Sequence, residues 1–442
     1  MYRQHRERFL ALLKEQHAVA VVPTATPKTR NHDSEYRFRP DSDFWYLTGF
    51  AEPESVLVIL PSLGEDESDE IILFLRESDR DKEVWTGRRL GIDRAASELA
   101  IDLAFPIEEL WTRLPDLLSG YERIVYSTGQ DEETDRQMIR AINTLRRKAR
   151  GGLRPPVELI DHVPLVHELR LFKDEREIEC MRRAAEITTE AHLAAMAETQ
   201  PGVREHEIDA LLDYTFRRRG STGPAYGNIV AGGANACILH YHENDQELRD
   251  GELLLIDAGA EWSYYASDVT RTFPVNGTFS PEQRAIYEVV LEAQLAGIEQ
   301  VKPDVSFISI HEAALAKIVD GLLALGLLEG SRADIIEHER YKRFYMHKTG
   351  HWLGLDVHDC GYYSEDGRSR ALKPGMTLTV EPGIYVAADD ETVDARWRGI
   401  GVRIEDDLLV TEAGHEILTE KIPKSIEDVE AACRGAFLVG AQ

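Results

Sequence analysis

The feature that most limits how this chain can fold is a set of three strand-like runs in its last two hundred residues. Each carries acids where core residues would be expected. In LLLIDAGAEWSYYASDVTRTFPV (253–275), four apolar residues lead into Asp257, and Asp268 opens a second extended run. A hairpin turning at Trp262–Ser263 would set Asp257 opposite Asp268, with side chains about 5 Å apart. In TLTVEPGIYV (377–386), Leu378 and Val380 point one way while Thr379 and Glu381 point the other. In GIGVRIEDDLLV (399–410), Val402 and Ile404 share one face, and Arg403 and Glu405 share the opposite one. Facing carboxylates at the end of an apolar strand repel each other and lose hydration, and a multivalent cation between them removes that cost. Each run also admits a plainer arrangement. One aspartate could sit in water while the other pairs with Arg271, and each glutamate could lie on the solvated face of a one-sided sheet.

A fourth stretch, HKTGHWLGLDVHD (347–359), holds His347, His351 and His358. His347 and His351 have the i, i+4 spacing of a helical zinc pair. However, Lys348 stands where that motif needs its glutamate, and Gly350 and Gly354 disfavour a helix. Two Asp, two Glu and one His make an oxygen-rich ligand set suited to manganese, cobalt or ferrous iron, and also to zinc. Two divalent cations would neutralise the four carboxylates. Two such ions about 3.5–4 Å apart can hold a bridging water as hydroxide near neutral pH.

Composition narrows the function classes. Acids outnumber bases 79 to 51, a net charge of −28. Such a surface repels phosphate backbones and anionic lipid heads, so neither nucleic acid nor membrane is an expected partner. Cys180, Cys237, Cys360 and Cys433 are far apart and form no CxxC pair, which disfavours a disulfide framework and fits a reducing compartment. The opening MYRQHRERFLALLKEQ mixes acids and bases as an amphipathic helix and lacks the apolar centre of a signal peptide. No later run reaches membrane-spanning length, and a cytoplasmic location is expected.

At 442 residues the chain exceeds what one core usually supports, so two domains are expected. SVLVIL (55–60), EIILFL (70–75) and ERIVYS (122–127) read as strands, and DRQMIRAINTLRRKAR as a basic helix, together an α/β domain over 1–170. GGLRPP (151–156) marks a linker near 151–170. The remainder, 171–442, is read as an α+β domain of two similar halves, each two helices followed by strands. One half opens at Asp174 with Glu177 three residues on; the other opens at Ser-Pro-Glu-Gln (280–283).

Together, IDAGAEWSYYASDVTRTFPVNG, CILHYHEN, HWLGLDVHD, LTVEPGIYV and RGIGVRIEDDLLVT closely resemble the aminopeptidase P family, the Xaa-Pro aminopeptidases of the pita-bread metallopeptidases. RFRPDSDFWYLTGFAEPESVLV (37–58) resembles that family's N-terminal domain, so the likeness covers essentially the whole chain. It implies an α+β protein whose C-terminal pita-bread catalytic domain follows a smaller α/β N-terminal domain. The implied activity is metal-dependent hydrolysis of the N-terminal Xaa-Pro bond of peptides, through a hydroxide bridging two divalent metal ions.

The implied ligands are Asp257, Asp268, His351, Glu381 and Glu405, with Asp268 and Glu405 bridging. Asp257 would serve one ion, and His351 and Glu381 the other. Glu381 would also move protons, His240 and His358 would hydrogen-bond substrate and tetrahedral intermediate, and Arg403 would orient the ligands. His347 is a supporting or simply packed residue, and His242 a bystander. Tyr385 would brace the ligands. Trp85 resembles a tryptophan that caps the pocket of a neighbouring subunit, though it could equally serve in packing. Manganese is the family's usual activator, with cobalt or zinc as alternatives, and a homodimer or homotetramer is implied. Two other functions are compatible with the fold. One is a prolidase restricted to Xaa-Pro dipeptides. The other is a non-catalytic peptide-binding module, which would be expected to lose ligands, whereas all five positions are filled here.

Overall fold

The computed structural model describes residues 1–64 and 68–437. The chain forms two compact units, Met1–Arg170 and Leu171–Gln442. The first is built on a six-stranded mixed sheet. In spatial order its strands are Leu103–Pro106, Glu70–Leu75, Val56–Leu60, Ala18–Pro23, Arg123–Val125 and Glu158–Ile160. The two central strands read as unbroken apolar runs because both are buried along their length. Leu110 and Leu114 from one helix, and Met138, Ala141 and Leu145 from another, complete a core with Val19, Val58 and Phe74. The stretch 151–170 is more than a linker. Glu158–Ile160 pairs in parallel with Arg123–Val125 and completes the sheet, and Val163–Leu171 is helical.

In the second unit the same order of elements occurs twice. Asp174 and Glu177 form a reciprocal cap on the helix Glu175–Glu198, which is followed by Glu205–Arg218. Ser280 and Gln283 cap Pro281–Ile298 in the same way, with proline in the first turn, and Phe307–Ala324 follows. Each helix pair leads into a three-stranded sheet. The first has the order Ile229–Gly232, Leu253–Asp257, Thr270–Pro274. The second has the order Thr377–Val380, Asp406–Thr411, Gly414–Ile417. Ile187, Leu212 and Ile256 of the first half share one core with Ile286, Val290 and Ile318 of the second. No helix among the described residues is long and apolar enough to cross a membrane.

The turn inside 253–275 lies one residue later than expected. Trp262 pairs with Tyr265, and Ser263 and Tyr264 both have positive φ, 50° and 67°, as a two-residue hairpin turn of type I′ requires. Asp257 therefore faces Thr270 rather than Asp268. The run also changes sheets at Gly259, where an added Cβ would lie 1.7 Å from the Ser267 carbonyl oxygen. That close crossing leaves Asp268 just outside the regular strand, beside the end of Leu253–Asp257.

Candidate metal centre

The polar faces of these strands do not meet solvent. Thr377, Thr379, Thr270 and Thr272 are buried, as are Arg403, Glu405 and Asp268. Nor does Arg271 serve the two aspartates, because its guanidinium makes a 2.7 Å ion pair with Asp406, both side chains fully buried. The acids singled out in the sequence instead converge on a cavity of about 990 Å³. Its lining includes Asp257, Asp268, Glu381, Glu405, Arg403, His240, His347, His351 and His358.

Asp257 ends its strand with one oxygen accepting from Arg403 Nη2 at 2.7 Å and the other from the Tyr226 hydroxyl at 2.6 Å. The same hydroxyl lies 2.5 Å from Oδ1 of Asp268. The second oxygen of Asp268 is 3.3 Å from Nε2 of His351, which lies 3.6 Å from Oε1 of Glu381. Glu405 accepts from the Thr270 hydroxyl at 2.7 Å, and that hydroxyl accepts from Arg403 Nε at 3.0 Å. Ligand atoms of Asp268, His351 and Glu405 all lie within 4.8 Å of one another.

Two observations test whether these residues suit divalent metal. The first is orientation. Nδ1 of His351 is 2.9 Å from the Trp352 carbonyl oxygen, which fixes the proton on Nδ1 and leaves Nε2 directed at the carboxylates, as metal-ligating histidines are usually set. The second is charge. Burial pushes the Glu381 carboxyl up to about 7, with repulsion from Asp268 and Asp257 adding to it against His351 and Arg403. Burial and the same neighbouring carboxylates push Glu405 well up, and Asp257 is raised as well. Asp268 alone is held low, because although burial raises it, the bond and charge of His351, the Tyr226 hydroxyl and His358 together outweigh that rise. Despite burial, His351 is raised to about 9 by Asp268 and Glu381. Arg403 and His351 supply less positive charge than the four carboxylates require, and divalent cations supply the remainder. The set fits such ions.

Around the acids lies a relay of fixed hydrogen bonds. Arg403 Nη1 donates to the Tyr385 hydroxyl at 3.0 Å, so that hydroxyl donates onward to Nε2 of His347 at 2.8 Å. Nδ1 of His347 then donates to the Lys348 carbonyl at 2.7 Å. Burial and the Arg403 charge lower His347 to about 3, so its ring is neutral and serves as a brace. His358 stands edge-on to His351 with ring centroids 4.5 Å apart, and burial and His351 hold it below the usual imidazole value. His240, His242 and His358 are exposed on the cavity wall. Trp85 belongs to the other unit, on the short helix Arg80–Thr86, and is 87% exposed, so it packs into no core. The sequence does not single out Tyr226 or Thr270. Neither lies in a run whose periodicity marks it, and only the converging carboxylates show what their hydroxyls do.

Comparison with known proteins adds to this geometry. The model of metallopeptidase family M24 matches residues 179–412, and that of the aminopeptidase P N-terminal domain matches residues 2–126. The chain is 44% identical over 428 residues to the Xaa-Pro aminopeptidase of Escherichia coli strain K12, covering 97% of this chain and 96% of that protein. Its fold is similar to that of Pseudomonas aeruginosa aminopeptidase PepP, with a TM-score of 0.95 at 48% identity, covering 99% of this chain and 98% of the other. A zinc-substituted Escherichia coli aminopeptidase P in complex with product superimposes with a TM-score of 0.94 at 44% identity, covering 99% of each chain.

Proposed function

As the chain belongs to metallopeptidase family M24, in its aminopeptidase P branch, we propose that it is a metal-dependent Xaa-Pro aminopeptidase. It releases the first residue of peptides whose second residue is proline. The observation that carries this reading is the convergence of four carboxylates and His351 on one cavity, with His240 and His358 on its wall. Asp257, Asp268, His351, Glu381 and Glu405 would hold two divalent ions. Those ions would supply an acidified water and a Lewis acid for the scissile carbonyl. Manganese is the expected metal.

The protein's own groups account for the rest. Glu381 faces the cavity with Oε1 3.6 Å from Nε2 of His351, where a carboxylate can exchange protons with water and substrate. Glu381 takes a proton from the attacking water and delivers it to the departing proline nitrogen. His240 and His358 present imidazole donors where the carbonyl oxygen gains charge. Arg403 pairs with Asp257 and opposes the rise that burial causes in its carboxyl. At about 990 Å³ the cavity lies at the upper end of the range for ligand sites, which favours longer peptides over dipeptides. The expected setting is the cytoplasm, as a homo-oligomer.

The test is hydrolysis of matched Xaa-Pro and Xaa-Pro-Yaa substrates across a manganese titration, by the wild type and Asp268→Ala. Metal-dependent release of the first residue from the tripeptides, lost in Asp268→Ala, supports the reading. Strong activity on dipeptides alone would make the protein a prolidase. A wild type inert with every divalent ion, yet still binding peptides, would make it a binding module.

A further inference from the structure

Tyr226 lies just ahead of the strand Ile229–Gly232, and its ring lines the cavity. Its hydroxyl is 2.6 Å from Oδ1 of Asp257 and 2.5 Å from Oδ1 of Asp268. Outside the four acids and His351, no other side chain among the described residues hydrogen-bonds to two of them. The remaining oxygens are accounted for. Oδ2 of Asp257 takes Arg403, and Oδ2 of Asp268 faces Nε2 of His351. The two Oδ1 atoms share the one proton of this hydroxyl, and the phenol is the single group that ties one carboxylate to the other. Asp257 and Asp268 come from different strand ends, and their register does not pair them. Ala258 N–H donates to the Val269 carbonyl at 3.0 Å, so the backbone brings Asp257 and Asp268 near each other without setting them face to face, and their side chains set how the carboxylates meet. Without the hydroxyl, two buried anions would repel and be free to turn about their side-chain torsions.

We infer that Tyr226 is a positioning residue that holds Asp257 and Asp268 at one spacing and so sets the affinity of the site for its divalent ions, with no part in bond cleavage. This rests on the metallopeptidase reading given above. A phenylalanine at 226 keeps the ring and its packing while removing the clamp. Tyr385→Phe removes a neighbouring phenol hydroxyl that bonds Arg403 and His347 but neither aspartate, and so controls for general loss of polarity.

The experiment is calorimetric titration of metal-free full-length protein with manganese, together with electron paramagnetic resonance of the bound ions. Tyr226→Phe is expected to weaken manganese binding by about tenfold or more, the usual cost of losing a group that orients ligands, and Tyr385→Phe by less than about threefold. The spectrum of coupled manganese pairs should appear in Tyr226→Phe only at raised metal, and kcat/KM on an Xaa-Pro-Yaa peptide should recover over the same range. The metal-free variant should still unfold in one cooperative thermal transition, which shows that it is folded. Affinity within about twofold of wild type in Tyr226→Phe, or equal losses in both variants, would overturn the inference. If the wild type binds no divalent ion, the metallopeptidase reading fails and the inference falls with it. If the wild type binds metal and hydrolyses the peptide while Tyr226→Phe is unaltered, the inference alone fails.

Discussion

Gly350 offers the sharpest test of how the backbone delivers His351 to the site. A Cβ built there would lie 2.0 Å from the Thr379 carbonyl oxygen and 2.9 Å from its carbon. Ordinary contact begins at 3.4 Å, so Gly350→Ala must drive the two segments apart by about 1.4 Å. Thr379 is also what holds His351. Its amide donates to the His351 carbonyl at 2.9 Å, and its hydroxyl accepts from the His351 amide at 3.2 Å. The added methyl therefore strains both bonds and moves the imidazole relative to Asp268 and Glu381. A displacement of about 1 Å at a reacting centre costs on the order of 100-fold in rate. The assay is kcat/KM on an Xaa-Pro-Yaa peptide at saturating manganese, with bound metal measured in the same samples. Gly350→Ala should lose about 100-fold or more and retain less metal. Gly151→Ala, where a Cβ meets nothing within 4 Å, should leave both unchanged. Activity of Gly350→Ala within about threefold of wild type, at full metal content, would refute the reasoning.

Other outcomes follow from the same structure. Arg271→Met leaves Asp406 buried with Lys424 as its remaining cation, and should destabilise the protein by about 3–5 kcal/mol in urea unfolding, against a smaller loss for Lys424→Met. Although burial pushes Asp406 up, Arg271 and Lys424 bring it down to about 2, and His162, His167 and Arg170 likewise hold buried Asp43 well below its usual value. The unfolded carboxyl titrates at 3.8, so the stability these groups contribute is complete above that pH and is lost as pH falls toward about 2. The thermal midpoint should drop steeply in that window, and less steeply in Asp406→Asn. Glu381→Gln removes the proton carrier and should lower kcat by about 10²–10⁴, measured on the tripeptide with manganese in excess.

Much of this architecture is written in local signals. The reciprocal caps at Asp174–Glu177 and Ser280–Gln283 open the two halves where the sequence places them, because a cap depends on residues three apart and on little else. Alternation in 377–381 and 401–405 separates Leu378, Val380, Val402 and Ile404, which enter the core, from Glu381, Arg403 and Glu405, which line the cavity. What the sequence does not show is the tertiary environment of that second face. Thr377 and Thr379 are buried, although their alternation also suits a solvated sheet. The turn at Ser263–Tyr264 contains neither glycine nor asparagine, the residues that usually mark positive φ, so the sequence does not locate the turn or the register of Asp257. Arg271 lies three residues from Asp268 and yet pairs with Asp406, a partner 135 positions away. Tyr226 gives no periodic signal at all. Its role follows from the distance between two carboxylates, which only the folded chain defines.

The central claim is that five side chains, from Asp257 to Glu405, bind two divalent ions in one cavity. The most direct measurement is anomalous diffraction from crystals grown with manganese. The account calls for two anomalous peaks lying between Asp257, Asp268, His351, Glu381 and Glu405, both lost in Asp268→Ala. Peaks elsewhere in the molecule, or none in this cavity from crystals of demonstrably active protein, would contradict it.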